Sequence, residues 1–124
     1  RKKEIIVNSG GDNIAPVRPE ASLTFQDIIL QAMVYGDRRP YLVGLIVVDP
    51  EISKNISEEE LNNEVSNAVK KANENLSQIE KIKKYIIADE PLSTDNGMLT
   101  PTMKIRRHMV NEVYGEQLNN LYKK

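Results

Sequence analysis

Cysteine and tryptophan are absent from the 124 residues, and phenylalanine and histidine each occur once. Without cysteine there is no disulfide framework and no thiolate metal site, and the redox compartment stays open. One histidine is too few for a His-rich metal centre, so no metal is expected to be held here. Neither sign of charge dominates: 17 Lys and Arg face 18 Asp and Glu, a formal net charge of −1. That balance argues against a general nucleic-acid binder, which would carry a basic face. The longest apolar stretch, Tyr41 to Val48, is far too short to cross a bilayer. No signal-peptide apolar region follows the basic start Arg1-Lys2-Lys3-Glu4, and no amphipathic anchor stands out. A cytoplasmic setting is expected, with membrane contact only peripheral if it occurs at all. The length suits a single domain over residues 1–124 with one modest core, too small for the deep two-lobed cleft of a large cofactor-dependent enzyme. The start, without Met and close to an apolar run, reads as that of an excised fragment.

Along the chain, Ile5-Ile6-Val7 is a β-branched run ending at Ser9-Gly10-Gly11-Asp12-Asn13, a tight turn or a ligand-facing loop. Pro19 followed by Glu20, Ala21 and Leu23 predicts a short helix. Ile28 to Tyr35 and Tyr41 to Val48 predict an antiparallel hairpin around the turn Gly36-Asp37-Arg38-Arg39-Pro40. The second strand is apolar on both faces and should be central. Ser57-Glu58-Glu59-Glu60 predicts a capping box, with Glu60 reaching back. Leu61, Val65, Ala68, Val69, Ala72, Leu76 and Ile79 then recur at helical spacing. Tyr85 to Ala88 is a strand candidate, Pro91 to Thr102 a loop. A last helix is expected from about Met103, with Ile105, Met109, Val113 and Leu121 on one side and Gly115 weakening it. The sum is a small α+β domain with helices packed on a mostly antiparallel sheet.

Two segments have the composition for chemistry. The bare backbone of Gly10 and Gly11 could line a narrow channel or donate N–H groups to a ligand, or simply turn the chain. Leu92 to Arg107 could be a flexible polar loop that delivers a lysine ammonium to a phosphate or carboxylate oxygen. The alternative is a surface loop capped by a basic helix start. Lys104, Arg106 and Arg107 in a first turn oppose the helix dipole and call for a partner. His108 has no triad or metal set around it in the sequence and reads as a surface or edge histidine. The run Glu58 to Glu60 reads as a solvated helix start.

Arg1-Lys2-Lys3-Glu4-Ile5-Ile6-Val7 followed by Ser9-Gly10-Gly11-Asp12-Asn13-Ile14-Ala15-Pro16-Val17 resembles the eighth core motif of AMP-forming adenylating enzymes. Gly36 to Ile46 is similar to the hairpin of the long-chain fatty-acyl-CoA synthetase branch. Asn96-Gly97-Met98-Leu99-Thr100-Pro101-Thr102-Met103-Lys104-Ile105-Arg106-Arg107 resembles that branch's tenth motif. The resemblance covers essentially the whole chain and implies the C-terminal lid of such a ligase, its large N-terminal domain lying outside this sequence. It implies activation of a fatty acid by ATP to an acyl-adenylate, then transfer of the acyl group to coenzyme A, with the lid rotating between the half-reactions. Magnesium, the fatty acid, ATP and most of coenzyme A would be held by the N-terminal domain. Arg1 matches the arginine that contacts the nucleotide ribose, and Lys3 the hinge. Gly10 and Gly11 match the glycine loop beside the pantetheine arm. Lys104 matches the lysine that bridges carboxylate and α-phosphate, with Arg106 and Arg107 as neighbouring alternatives.

The isolated fragment is expected to fold but not to catalyse. Two other readings remain at this level. One is a non-enzymatic ferredoxin-like α+β binding module, which shares the same element order. The other is a related adenylating enzyme that loads a carrier-protein thiol.

Overall fold

The computed structural model describes residues 5–88, 90–102 and 104–122. Its centre is a three-stranded sheet of β3 (Ile29–Tyr35), β4 (Leu42–Val48) and β5 (Ile82–Ile87), in the order β3-β4-β5. β3 and β4 form the expected antiparallel hairpin, with Met33 opposite Leu45 and Tyr35 opposite Val43. β5 runs parallel to β4, with Leu45 opposite Ile86. The sheet is therefore mixed. A small separate ladder joins β1 (Ile6–Val7) to β2 (Asn13–Ile14).

Strand alternation sends β4 into two cores, which explains its apolar character on both faces. Leu42 and Ile46 face α1 (Val17–Thr24) and α3 (Glu58–Glu74), packing with Leu23, Val65, Ala68, Val69 and Ala72. Val43, Leu45 and Val47 face the other way, onto Leu92, Leu99, Val110, Tyr114 and Leu118. The second face is roofed by α4 (Arg107–Asn120) and by the segment that leads into it.

Several local expectations shift. The Ser57 hydroxyl accepts the Glu60 N–H at 3.1 Å, so Ser57 is the predicted N-cap. The reciprocal capping box instead closes at Ser77 and Glu80, around a 3-10 turn (Gln78–Glu80). α3 stops at Glu74, and Ile79 is not part of it. In the last turn of α3 the Asn73 side chain both accepts the Ile82 N–H at 2.8 Å and donates to the Ile82 carbonyl at 2.9 Å. That clasp starts β5 at Ile82, three residues before the predicted strand. A short α2 (Pro50–Ser53), capped by Asp49, fills what the sequence left as a connection. The last helix begins at Arg107 and buries Val110, Tyr114 and Leu118, while Val113 is exposed. The predicted stripe was out of phase because Ile105 precedes the helix and pairs with Leu99 in an isolated bridge.

Candidate functional site

The start of the loop, residues 90–99, is anchored to the sheet. Gln31 on β3 binds the Leu92 backbone twice: its amide N–H donates to the carbonyl at 3.1 Å and its oxygen accepts the N–H at 2.7 Å. The Asn96 side-chain oxygen accepts the N–H groups of Ser93 and Met98, both at 3.1 Å. Leu92, Met98 and Leu99 are buried, so the polar loop is anchored by an apolar underside. Sequence reasoning read the polar residues and missed that anchor.

Beyond Met98 the chain doubles back. The Thr100 N–H donates to the Lys104 carbonyl at 2.8 Å, and the Lys104 N–H donates to the Thr100 hydroxyl at 3.0 Å. The Arg106 N–H donates to the Met98 carbonyl at 2.8 Å. This tight turn projects Lys104 from an exposed position into an open groove of about 1070 Å³. Glu20, Thr100, Thr102, Arg106 and His108 also line the groove.

The three basic candidates have different surroundings. Arg107 is bidentate to Glu20, with Nη1–Oε2 2.5 Å and Nη2–Oε1 2.7 Å. Arg106 donates to the Gly97 carbonyl at 3.3 Å. The Lys104 ammonium has no partner among the described residues. A compact cation left unneutralised beside a broad groove is suited to an incoming anion. His108 is exposed on the groove wall, as expected for a surface histidine, although the sequence did not place it beside Lys104.

Gly10 and Gly11 lie elsewhere and line none of this groove. They form the exposed tip of the β1–β2 ladder. The Asn8 side-chain oxygen accepts the N–H groups of Gly10 at 3.0 Å and Asp12 at 2.9 Å, which holds the tip in one shape. Backbone bonds pin this ladder to the β3–β4 turn: Ser9 N–H to the Arg39 carbonyl at 2.9 Å and Arg38 N–H to the Val7 carbonyl at 2.7 Å. Gly11 has φ +87°, and no atom lies within 4 Å of where its Cβ would stand. Gly11→Ala therefore pays only the left-handed backbone penalty, about 1 kcal/mol. Gly10→Ala, whose nearest neighbour would be Asn8 Oδ1 at 3.5 Å, should be close to neutral. Urea unfolding of the two variants checks the contrast; equal losses would mean the tip is held by something other than its dihedral.

Arg1 and Lys3 lie outside the described residues. Among the described residues, no three His, Cys, Asp or Glu side chains converge on a point that could hold a metal ion. Nor is any helix among them long and apolar enough to cross a membrane.

Residues 3–124 match the family model described as the AMP-binding enzyme C-terminal domain. Curated relatives at 36% identity with this chain include two kinds of ligase. One is a long-chain-fatty-acid–CoA ligase of Mycobacterium tuberculosis, aligned over 140 residues that cover 100% of this chain and 23% of that protein. The other is a chloroplastic long-chain-fatty-acid–[acyl-carrier-protein] ligase of Arabidopsis thaliana, with 98% and 17% covered. Among solved structures, the adenylation domain of a carboxylate reductase from Mycobacterium chelonae superposes with a TM-score of 0.88 at 26% identity, covering 98% of this chain and 20% of that one. A carboxylic acid reductase domain from Segniliparus rugosus, in complex with AMP and a co-purified carboxylic acid, gives a TM-score of 0.84 at 30% identity, with 98% and 20% covered. The fold is thus one found in adenylating enzymes, and the chain belongs to the family of AMP-binding enzyme C-terminal domains. It spans less than a quarter of the length of these relatives. The ferredoxin-like alternative is set aside by this match, and by a central sheet of three described strands in which β5 is parallel to β4.

Proposed function

We propose that this chain is the lid of an AMP-forming ligase that activates a long-chain fatty acid with ATP and passes the acyl group to the thiol of coenzyme A. The observation that carries this is the Lys104 ammonium, exposed in a broad groove without a partner among the described residues, while Arg106 and Arg107 are engaged by the fold.

In the first half-reaction a carboxylate oxygen attacks the α-phosphorus of ATP. The bond from that phosphorus to the pyrophosphate oxygen breaks, leaving acyl-adenylate and pyrophosphate. Two anions must approach each other, and Lys104 placed between them offsets that repulsion and the charge that builds on the phosphoryl oxygens. In the second half-reaction the thiol sulfur attacks the acyl carbon, the thiol proton passes to solvent or a base, and AMP leaves. Gly10 and Gly11 would flank the pantetheine arm, where the absence of side chains keeps a passage open. That the glycine tip and the lysine groove are separate suits a lid that presents them in turn. Arg1 would contact the ribose and Lys3 would serve as the hinge. Magnesium would accompany the triphosphate on residues other than those described. The N-terminal domain of the same enzyme is the direct partner, in a cytoplasmic setting.

The carrier-protein reading keeps one specific support, the equal 36% identity to the acyl-carrier-protein ligase. The test uses the full-length parent enzyme with a long-chain fatty acid, ATP and magnesium, and offers free coenzyme A or a phosphopantetheinylated acyl carrier protein. Thioester on free coenzyme A is the expected result, with none from the isolated chain. Acylation of the carrier alone would reassign the acceptor. No pyrophosphate release with any fatty acid would overturn the adenylating reading.

A further inference from the structure

Glu20 is the one charged side chain in the buried set among the described residues, and the sequence offered no role for it. It sits on α1, and its carboxylate joins three elements. Oε2 accepts the Val34 N–H at 2.9 Å, on the edge of β3 that β4 leaves open. Both oxygens hold Arg107, the first residue of α4. α1 and β3 are fixed in the core through Leu23, Ala32 and Val34, so Glu20 is an anchored point and Arg107 is held to it.

From Arg107 the restraint reaches Lys104 in three residues. Arg106 is bonded through its N–H to Met98, Ile105 pairs with Leu99, and Lys104 is closed onto Thr100 at both its N–H and its carbonyl. Each link is short, and none is a freely rotating connection. Glu20 also neutralises Arg107 within the groove that both line with Lys104. Among the described residues, Lys104 and Arg106 are then the groove's cations without a carboxylate partner, and of the two only Lys104 has no side-chain hydrogen bond to the fold.

We propose that Glu20 is a positioning residue for adenylation: through its bidentate hold on Arg107 it fixes where the turn presents the Lys104 ammonium. The proposal rests on the assignment of Lys104 given above. Glu20→Gln keeps an oxygen for Val34 but turns an amide N–H₂ toward the guanidinium, so the fork-to-fork match is lost. The turn then samples positions shifted by a fraction of an ångström or more, and catalysis that depends on placement is sensitive to such shifts.

The test is a double-mutant cycle in the full-length parent enzyme, with Glu20→Gln, Lys104→Ala and the pair. Fatty-acid-dependent ATP–pyrophosphate exchange reads adenylation, and thioester formation from supplied acyl-adenylate reads the other half-reaction. Glu20→Gln should lower kcat for exchange by roughly 10–100-fold while KM for ATP and fatty acid changes less than about twofold. Thioester formation should stay within about twofold of the parent, and Glu20→Gln should add no further loss to Lys104→Ala. A purely structural role predicts otherwise: equal losses in both half-reactions, or the same loss with and without Lys104. Either result overturns the proposal. If Glu20→Gln does not fold, Arg107→Lys, which keeps the charge and breaks the bidentate geometry, carries the same cycle. Exchange lost on Lys104→Ala but unchanged on Glu20→Gln sinks the positioning role alone. Exchange unchanged on Lys104→Ala removes the lysine assignment itself, and the positioning role with it.

Discussion

Lys104→Ala in the full-length parent enzyme should lower fatty-acid-dependent ATP–pyrophosphate exchange by about 10²–10³-fold, the usual loss when one preorganised donor to a developing charge is removed. Thioester formation from supplied acyl-adenylate should be retained, because the glycine tip and not the lysine groove serves that step in the proposed scheme. Structural damage is an unconvincing source for such a loss. The Lys104 side chain is exposed, and the bonds that close its turn come from its backbone N–H and carbonyl. The melting temperature should therefore hold while exchange collapses. Lys104→Arg should recover only part of the rate, since a broad planar fork does not reproduce a compact ammonium. Unchanged exchange would move the role to Arg106, which donates one 3.3 Å side-chain bond among the described residues, before Arg107, whose guanidinium is committed to Glu20.

The largest effect on stability is expected from Leu45→Ala. Leu45 is fully buried at the middle of the central strand, between Met33 on β3 and Ile86 on β5. Its side chain lies in the core beneath α4 and the loop that carries Lys104. Strands on both sides limit how far the backbone can close on the space left behind, so a cost of about 3–4 kcal/mol is expected. For a domain of this size, with total stability of roughly 5–15 kcal/mol, that is a large share and lowers Tm by about 10–15 °C. Leu30→Ala is the internal comparison: Leu30 lies on β3 but is 46% exposed, and its loss should cost less than about 1 kcal/mol. Similar costs at both positions, measured by thermal and urea unfolding, would contradict a rigid core under the site.

Legibility in the sequence followed the range of the interaction. The β3–β4 hairpin was readable because its turn residues and its two apolar runs are adjacent, and the N-cap Ser57 because it acts three residues away. The two-sided burial of β4 followed from the lack of polar alternation between Leu42 and Val48. The orientation of β5 was not readable, since nothing in Ile82–Ile87 states that it runs parallel to a strand across α3. The start of α4 was set too early because Ile105 fits the helical period but is used in a bridge to Leu99. At the site, Lys104 could be singled out from the motif, yet nothing local distinguished its surroundings from those of Arg106 and Arg107. For Arg106 the distinction is its bond to the Gly97 carbonyl, and for Arg107 it is Glu20, 87 residues away in sequence. An ion pair between single residues so far apart leaves no periodic trace.

The Glu20 carboxylate also bears on how the chain behaves among its own copies. An open-ended sheet exposes two rows of backbone donors and acceptors, and each can recruit a strand from another molecule. On β3 the outward Val34 N–H is already occupied by Glu20, with α1 packed alongside. On β5 the other rim carries exposed Lys83 and Lys84, whose charge repels a matching strand. The carboxylate that holds Arg107 thus also occupies an edge donor of the sheet, and a substitution that removed both of its oxygens would free the Val34 N–H toward other molecules as well as release Arg107.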